Sequence, residues 1–261
     1  MRRPLDQELV RRGLASDRVA AREVIATGRV RVAGRPALKD STLVLPEEAV
    51  ALAPDERPFV SRGGEKLAAA LDRFAIDPSG RRCLDAGAST GGFTDCLLRA
   101  GAAHVVAVDV GYGQLDWALR EDARVTVLER TNVRGLRADE LPYRPEIVTA
   151  DLSFISLATV LPALVELSTP AAEFVLLVKP QFEAPPEAVE PGGVVRDPVT
   201  RAEAIRTVAR AGEALGLRAD GVMASPLTGP AGNAEFLLHA RRGSGQEVAL
   251  DLSAAVAEAE R

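Results

Sequence analysis

From residue 82 onwards, short apolar runs alternate with longer segments in which apolar residues recur every three or four positions. Short apolar runs bounded by turn residues predict buried strands, and the longer spacing predicts amphipathic helices. This alternation favours an α/β fold, a doubly wound and mostly parallel sheet with helices on both faces. The predicted strands are 83–86, 104–109, 125–128, 147–151, 174–178, 222–225 and 236–240, and the predicted helices are 94–100, 114–120, 157–167 and 199–215.

The first fifty residues follow a different pattern. Leu5, Leu9 and Leu14 fall at helical spacing, and Asp17 can cap a second helix over 18–27. A short strand over 30–32 and a turn over 33–35 follow. We therefore expect two domains and a linker, with a small α+β domain over 1–55, a breaker-rich linker over 56–61 and the α/β domain over 62–261.

The formal net charge of the 261 residues is −5, and it is unevenly distributed. Residues 1–39 contain ten Arg or Lys against four Asp or Glu, a balance of +6, so the remainder carries −11. A basic segment on an acidic protein is typical of a nucleic-acid-binding module. The alternative is a solvated basic face without a partner. The candidate RNA-binding arginines are Arg11, Arg12, Arg18, Arg22, Arg29 and Arg31.

Composition gives no sign of export, of a membrane or of a metal. We find no run of 18 apolar residues and no apolar signal core after Met1. Cys83 and Cys96 form no C-x-x-C pair, and two scattered histidines predict no metal cluster. We therefore expect a cytoplasmic protein that binds neither a membrane nor a metal.

The segment 81–94 reads as a strand, a loop of small residues and the start of a helix. Its glycine spacing, Gly87-x-x-x-Gly91-Gly92, differs from the G-x-G-x-x-G of dinucleotide sites. Asp85, just before the loop, would repel a pyrophosphate but suits a cationic amino-acid ligand, such as the methionine part of S-adenosylmethionine (SAM). Asp109, at the end of the next strand, suits ribose hydroxyls. The alternative is a tight strand-to-helix turn in an unrelated α/β protein.

Four polar side chains stand where the carboxyl edge of the sheet is expected, namely Lys66, Asp151, Lys179 and Glu235. Two lysines with two acids suit the deprotonation of a hydroxyl, which needs a base and a positive environment for the developing alkoxide. The alternative for Lys179 is a strand-end lysine that reaches solvent. Motifs for methylating a base are absent, because Asp151 begins D-L-S-F instead of an (N/D)-P-P-(Y/F) sequence and neither cysteine follows a proline.

These residues carry a specific resemblance. The segment from 11 to 34 resembles the S4 RNA-binding domain, and the Lys-Asp-Lys-Glu set on a SAM-binding sheet is similar to that of FtsJ/RrmJ-type ribose 2′-O-methyltransferases. Together they resemble the TlyA family of rRNA (cytidine-2′-O)-methyltransferases, also labelled hemolysin A. The motifs are S-R-G-G-E-K-L (61–67), L-D-A-G-A-S-T-G-G-F-T (84–94), V-D-V-G-Y-G-Q-L (108–115), L-E-R-T-N (128–132), A-D-L-S-F-I-S-L (150–157), V-K-P-Q-F-E (178–183), G-G-V-V-R-D (192–197) and G-P-A-G-N-A-E-F (229–236).

The resemblance implies a Rossmann-like sheet of seven strands, the last antiparallel, behind the S4-like domain. It implies a catalytic tetrad of Lys66, Asp151, Lys179 and Glu235, with Lys179 as the base or the alkoxide partner, and SAM as cofactor. It implies ribosomal RNA or ribosomal subunits as partner, and we expect a monomer. The implied SAM-binding residues are Asp85, Gly87, Ala88, Ser89, Gly91, Gly92, Phe93, Asp109, Val110 and Asn132, with Thr131 as a weaker candidate.

The sequence and the resemblance define the RNA target less sharply than the reaction. Family members that modify both ribosomal subunits have extra residues at both ends, and the arginine-rich start and the tail 252–261 favour this broader kind. The alternatives are modification of the large subunit alone, another structured RNA, a non-catalytic RNA-binding protein, and a pore-forming hemolysin, which no transmembrane helix supports.

Overall fold

The structure, a computed structural model, describes residues 2–26, 28–53, 58–243 and 249–260. The chain divides into two compact units, with the division between residues 57 and 58. Residues 54–57 of the predicted linker region lie outside the described residues. Phe59 and Val60 pack against the core of the second unit, and the Val60 N–H donates to Asp95 Oδ2 at 2.9 Å.

The first unit combines two helices with short strands around a small apolar core that includes Leu5, Leu9 and Ile25. Ala33 and Gly34 both have positive φ, as a two-residue hairpin turn requires. The first and fourth strands form one antiparallel pair, and the second strand pairs with the third and the fifth. The elements are β1 (Arg3–Pro4), α1 (Leu5–Arg11), α2 (Arg18–Ala26), β2 (Val30–Val32), β3 (Arg35–Pro36), β4 (Leu43–Val44) and β5 (Val50–Leu52).

Two acids of α1 are buried in this unit. Glu8 is 1% exposed and accepts hydrogen bonds from Arg11 and Arg12. Asp6 is 2% exposed, accepts from Arg18 at 2.8 Å and lies 3.5 Å from Arg22. Four arginines of the unit, Arg11, Arg12, Arg18 and Arg22, therefore each have a carboxylate partner within it.

The second unit contains a sheet for which the described residues supply seven strands. Its spatial order is β11-β12-β10-β9-β6-β7-β8. The strands from β10 to β8 are parallel, and β12 runs antiparallel to both neighbours. The predicted α/β class and the antiparallel last strand are confirmed. The strands are β6 (Arg82–Ala86), β7 (His104–Val108), β8 (Val125–Leu128), β9 (Ile147–Ala150), β10 (Glu173–Val178), β11 (Leu217–Ala224) and β12 (Phe236–Arg242).

Helices cover both faces of the sheet. One core cluster contains residues from α6, α8 and α9, such as Leu161, Ile205 and Val256, and the other contains Leu67 and Leu97 from α3 and α4. The helices are α3 (Arg62–Arg73), α4 (Gly92–Arg99), α5 (Trp117–Arg120), α6 (Leu157–Leu167), α7 (Pro180–Glu183), α8 (Pro198–Glu213) and α9 (Leu252–Glu258).

Two predicted elements differ from the observed ones. The predicted helix 114–120 begins only at Trp117, because the Asp116 side chain caps it by accepting from the Ala118 N–H. The predicted strand 222–225 extends back to Leu217, because the polar Arg218 and Asp220 bind each other at 2.6 Å along this edge strand. No helix in the described part of the chain has the length and apolar content needed to cross a membrane.

Glu8 makes the stability of the first unit depend on pH. Hydrogen bonds from Arg11, opposed by burial, lower the pKa of Glu8 to about 2 from 4.5. Between these values the unfolded chain binds more protons than the folded protein, so the stability falls as the pH falls from about 4.5 towards 2. We expect E8Q to lower the thermal midpoint of this unit at pH 6 and to lack this acid-side loss. Calorimetry across pH 2.5–6 measures both, and a Glu8→Gln curve parallel to that of the wild type contradicts the assignment.

Candidate active site

Strand direction brings the four tetrad positions to one edge of the sheet. Val178 of β10 pairs with Phe236 of the antiparallel β12, so Lys179, just after β10, lies beside Glu235, just before β12. On the other side, Ala150 of β9 pairs with Ala86 of β6, so Asp151 lies beside the glycine-rich loop. An antiparallel last strand thus places the start of β12 beside the carboxyl ends of the parallel strands.

The tetrad forms two ion pairs. Lys66 Nζ lies 2.5 Å from Glu235 Oε2, and Lys179 Nζ lies 2.5 Å from Asp151 Oδ1. Lys179 Nζ also donates to Ser153 Oγ at 3.2 Å. The Lys66–Glu235 pair is the more deeply buried, with side chains 10% and 2% exposed, whereas Asp151 retains 24%. The first pair is thus shielded from water, and the second is open to a ligand.

The loop before β12 is fixed from two sides. The Asn233 side chain, 2% exposed, donates to Gly193 O at 2.7 Å and accepts from the Val195 N–H at 2.9 Å. The Arg62 guanidinium, at the start of α3, donates to Thr228 O at 2.9 Å. These bonds hold the segment that carries Glu235 and account for the G-G-V-V-R-D and G-P-A-G-N-A-E-F motifs.

The glycine-rich loop packs against the loop that carries Asp151 and against the start of α3, which carries Lys66. Gly87 has φ +86°, and a Cβ atom there would lie 2.3 Å from the backbone oxygen of Asp151. A Cβ atom on Gly92 would lie 2.2 Å from Ser61 Oγ and 2.8 Å from the Gly64 nitrogen, just before Lys66 on α3. A larger side chain at either glycine would push the loop away from one of the pairs.

Beside this loop lies a cleft of about 460 Å³, a size that suits a small-molecule cofactor. Asp109 is fixed at its wall, because its Oδ2 accepts from the Ser89 N–H at 2.8 Å and its Oδ1 from the Gly111 N–H at 2.6 Å. The predicted Gly87, Ser89, Asp109, Val110, Thr131 and Asn132 line the cleft, whereas Ala88, Gly91, Gly92 and Phe93 are buried in the loop and the first turn of α4 and do not line it.

The position of the Asp85 side chain differs from the one expected from the sequence. Its side chain is completely buried and does not line the cleft. It accepts hydrogen bonds from Thr94 Oγ1 at 2.7 Å and Thr149 Oγ1 at 3.2 Å. Burial, with a smaller contribution from the negative charge of Asp151, raises the pKa of Asp85 to about 7. The carboxyl group therefore supports the loop from below.

Three residues without an assigned role in the sequence also shape the site. Gln114 lines the cleft and accepts from Ser89 Oγ at 3.3 Å. Phe154, with φ +63°, is 91% exposed at the cleft rim, and its ring lies 5.3 Å from that of Phe182. Ser153 binds Lys179. Gln114 and Phe154 stand in quoted motifs, which was the available signal for them.

The candidate RNA-binding arginines fall into two groups in the first unit. Arg12 donates to three backbone carbonyls, including Glu48 O at 2.8 Å, as well as to Glu8, and it therefore stabilises the fold. Arg29 and Arg31 also donate to carbonyl groups, of Ala53 and Gly28 respectively. The second group, although paired with acids, keeps about half of each side chain exposed; its members are Arg11, Arg18 and Arg22.

Comparison with known proteins places this arrangement in a family. Residues 59–242 match the FtsJ-like methyltransferases, and residues 3–50 match the S4 domain. The Mycobacterium tuberculosis (strain H37Rv) protein named 16S/23S rRNA (cytidine-2′-O)-methyltransferase TlyA is 58% identical over 238 residues, covering 91% of this chain and 89% of that protein. The chain belongs to the TlyA family of FtsJ-like methyltransferases.

Two further proteins are similar to this chain at lower identity. A Campylobacter jejuni protein named 23S rRNA (cytidine-2′-O)-methyltransferase TlyA is 34% identical over 182 residues, covering 69% of this chain and 70% of that protein. A solved Streptococcus thermophilus structure that carries a hemolysin name is 34% identical, with a TM-score of 0.79, covering 99% of this chain and 96% of that one. The similarity to this solved structure therefore extends over both units.

Asp85 predicts an unusual pH dependence of stability. Its pKa is about 7 in the folded protein, against 3.8 as the ordinary value. Between these values the unfolded chain binds fewer protons than the folded protein, so the free energy of unfolding falls as the pH rises from about 4 to 7. We expect D85N to lack this fall. Urea unfolding from pH 4.5 to 7.5 compares the two proteins, and parallel curves contradict the assignment.

Proposed function

We propose that this protein transfers a methyl group from SAM to the 2′-hydroxyl of a cytidine in ribosomal RNA. The observation that carries the proposal is the pair of buried lysine–carboxylate contacts at the sheet edge, beside a cleft of cofactor size. The names of the M. tuberculosis and C. jejuni relatives supply the cytidine and the ribosomal RNA.

The residues around the cleft fit SAM. Asp109, held by two backbone N–H groups, keeps oxygen lone pairs for ribose hydroxyls. Gly87 and Ser89 border the end that suits the methionine part, and Val110 and Asn132 border the end that suits the adenine. When bound, SAM supplies the electrophilic methyl group. The buried Asp85 supports the loop through Thr94 and contributes a charge from beneath the site.

The less buried of the two ion pairs, Lys179–Asp151, supports the deprotonation step. In the proposed reaction the 2′-oxygen gives up its proton and forms its bond to the methyl carbon as the carbon–sulfur bond breaks. Lys179 acts as the proton acceptor, or it stabilises the alkoxide as a cation while water takes the proton. Asp151 stabilises the ammonium form of Lys179. The buried Lys66–Glu235 pair adds a second positive group and orients the hydroxyl. The exposed Phe154 ring offers a surface on which an unstacked base can stack.

We further propose that both ribosomal subunits are substrates. The relative that is 58% identical is named for 16S and 23S rRNA, and the 34% identical one for 23S alone. The alternative is the large subunit alone or another structured RNA.

Methylation of isolated ribosomal subunits with labelled SAM tests this function. We expect label on cytidine ribose in both rRNAs, identified by nuclease digestion and mass spectrometry. K179A should abolish transfer and keep SAM affinity, since Lys179 lies outside the cleft lining. K179R is the matched control, because arginine keeps the charge but cannot lose its proton. Residual transfer by K179R would favour the alkoxide role over the base role.

Two results would reject this function. Label on a base would exclude ribose methylation, and no label on any ribosomal RNA would exclude ribosomal RNA as the substrate. Loss of SAM binding in K179A would show that Lys179 belongs to the cofactor site instead of the reaction.

The RNA affinity of the first unit should depend on its unpaired cations. Arg35 and Lys39 are exposed and have no carboxylate within ion-pair distance among the described residues. We expect the double variant R35A/K39A to weaken rRNA binding and to reduce the salt slope by about 0.7–0.9 for each phosphate that is no longer neutralised. R12A is the contrasting variant, since it should lower the thermal midpoint and leave the salt slope unchanged. Filter binding at several salt concentrations measures this, and equal salt slopes for all three proteins contradict the assignment.

A further inference from the structure

Glu183, in the V-K-P-Q-F-E segment, is a largely buried acid that the proposed reaction does not use. Its Oε1 accepts from the Leu157 N–H at 2.7 Å, and its Oε2 accepts from Ser156 Oγ at 2.5 Å. No Lys or Arg lies within ion-pair distance of it in the part of the chain that the structure describes. Burial raises the pKa of Glu183. The side chain is therefore held by dipoles alone, including those at the start of α6.

These two hydrogen bonds join the segments that carry the open ion pair. Asp151 follows β9 and begins a loop that ends where α6 starts, at Leu157. Lys179 follows β10 and begins the turn that ends at Glu183. The Lys179–Asp151 ion pair connects the two segments at one end, and Glu183 connects them at the other. The two segments and these two connections together form a closed ring, of which the catalytic pair is one side.

Further contacts inside this ring show that the two segments pack together. Lys179 Nζ donates to Ser153 Oγ, and the Phe154 and Phe182 rings lie 5.3 Å apart. The loop also forms one wall of the cleft through residues 151–155. A shift of this loop would therefore move Asp151 and the cleft wall at the same time.

Capping of helix α6 does not by itself explain why the Glu183 side chain accepts hydrogen bonds at the start of this helix. Ser156 already caps α6, because its Oγ accepts from the Ala158 N–H at 3.1 Å. An additional acceptor from a different segment adds a connection between segments, at the cost of burying a carboxyl group without a cation.

We propose that Glu183 is a positioning residue for methyl transfer, which holds the loop after β9 against the turn after β10 and so keeps Asp151 in contact with Lys179. This inference rests on the proposed function. Glu183 does not touch the reacting atoms, so its loss should lower kcat more than it raises KM for RNA. It should also weaken SAM binding, because residues 151–155 line the cleft.

The test compares E183A and E183Q with D251A. The Asp251 side chain caps α9, outside the site, by accepting from the Ala254 N–H at 2.9 Å, so D251A controls for the loss of a helix cap. We expect kcat to fall about 100-fold in E183A and about 10-fold in E183Q, whose amide oxygen can keep one bond, since small misplacements of catalytic groups have effects of this size. D251A should keep the wild-type kcat even where its thermal midpoint is lower.

Amide hydrogen exchange gives a second measurement that does not depend on activity. In E183A, exchange should accelerate over residues 151–157 and 179–183 and stay unchanged in α3. Wild-type kcat in E183A, or a fall in kcat matched by D251A, overturns the proposal while leaving the proposed function intact. If the wild type methylates no ribose, the proposed function fails, and unchanged exchange at 151–157 would then reject the positioning role as well.

Discussion

Two ammonium groups are held largely away from water at one edge of the sheet, and the arrangement of the site follows from this constraint. A buried charge without a partner is strongly destabilising, so each lysine needs its own carboxylate at contact distance. Lys66 and Lys179 each have one, at 2.5 Å. The whole chain contains three lysines against 29 arginines. The use of lysine at these two positions is chemically meaningful, because an arginine cannot give up its proton.

The antiparallel last strand meets this constraint. In a wholly parallel sheet the residue before β12 would lie at the opposite edge, and Lys66 would lack its partner. The reversal of β12 brings Glu235 beside Lys179, and Asn233 fixes the loop that delivers it. The glycine-rich loop then has to pack closely against the loop that carries Asp151 and against the start of α3, which explains why a Cβ atom at Gly87 or Gly92 would collide with backbone atoms there. The glycine-rich loop and the sheet edge that carries the four tetrad residues are thus packed directly against each other.

The sequence predicted the parts of this site that depend on local pattern. Apolar strands followed by Asp109, Asp151 and Lys179 located the carboxyl edge, because strand ends are marked by short-range changes of polarity. Which lysine contacts which acid was not predictable, since those contacts join residues up to 169 positions apart and leave no local trace. The contacts within residues 1–39 were not predictable for the same reason, because the charge balance of this segment does not show that Glu8 binds Arg11 and Arg12.

The sequence located Asp85 correctly beside the glycine-rich loop. Its physical role in the structure differs from the one that the sequence suggested. Its position before the glycine-rich loop suggested direct contact with a cationic ligand, yet Thr94 and Thr149 hold it beneath the loop. Its pKa is raised by burial and further by Asp151, whose negative charge Lys179 requires. A positively charged ligand in the cleft would favour the ionised form of Asp85, because opposite charges stabilise each other across a poorly solvated region. Asp85 therefore supports the loop from beneath, next to the acid that pairs with Lys179.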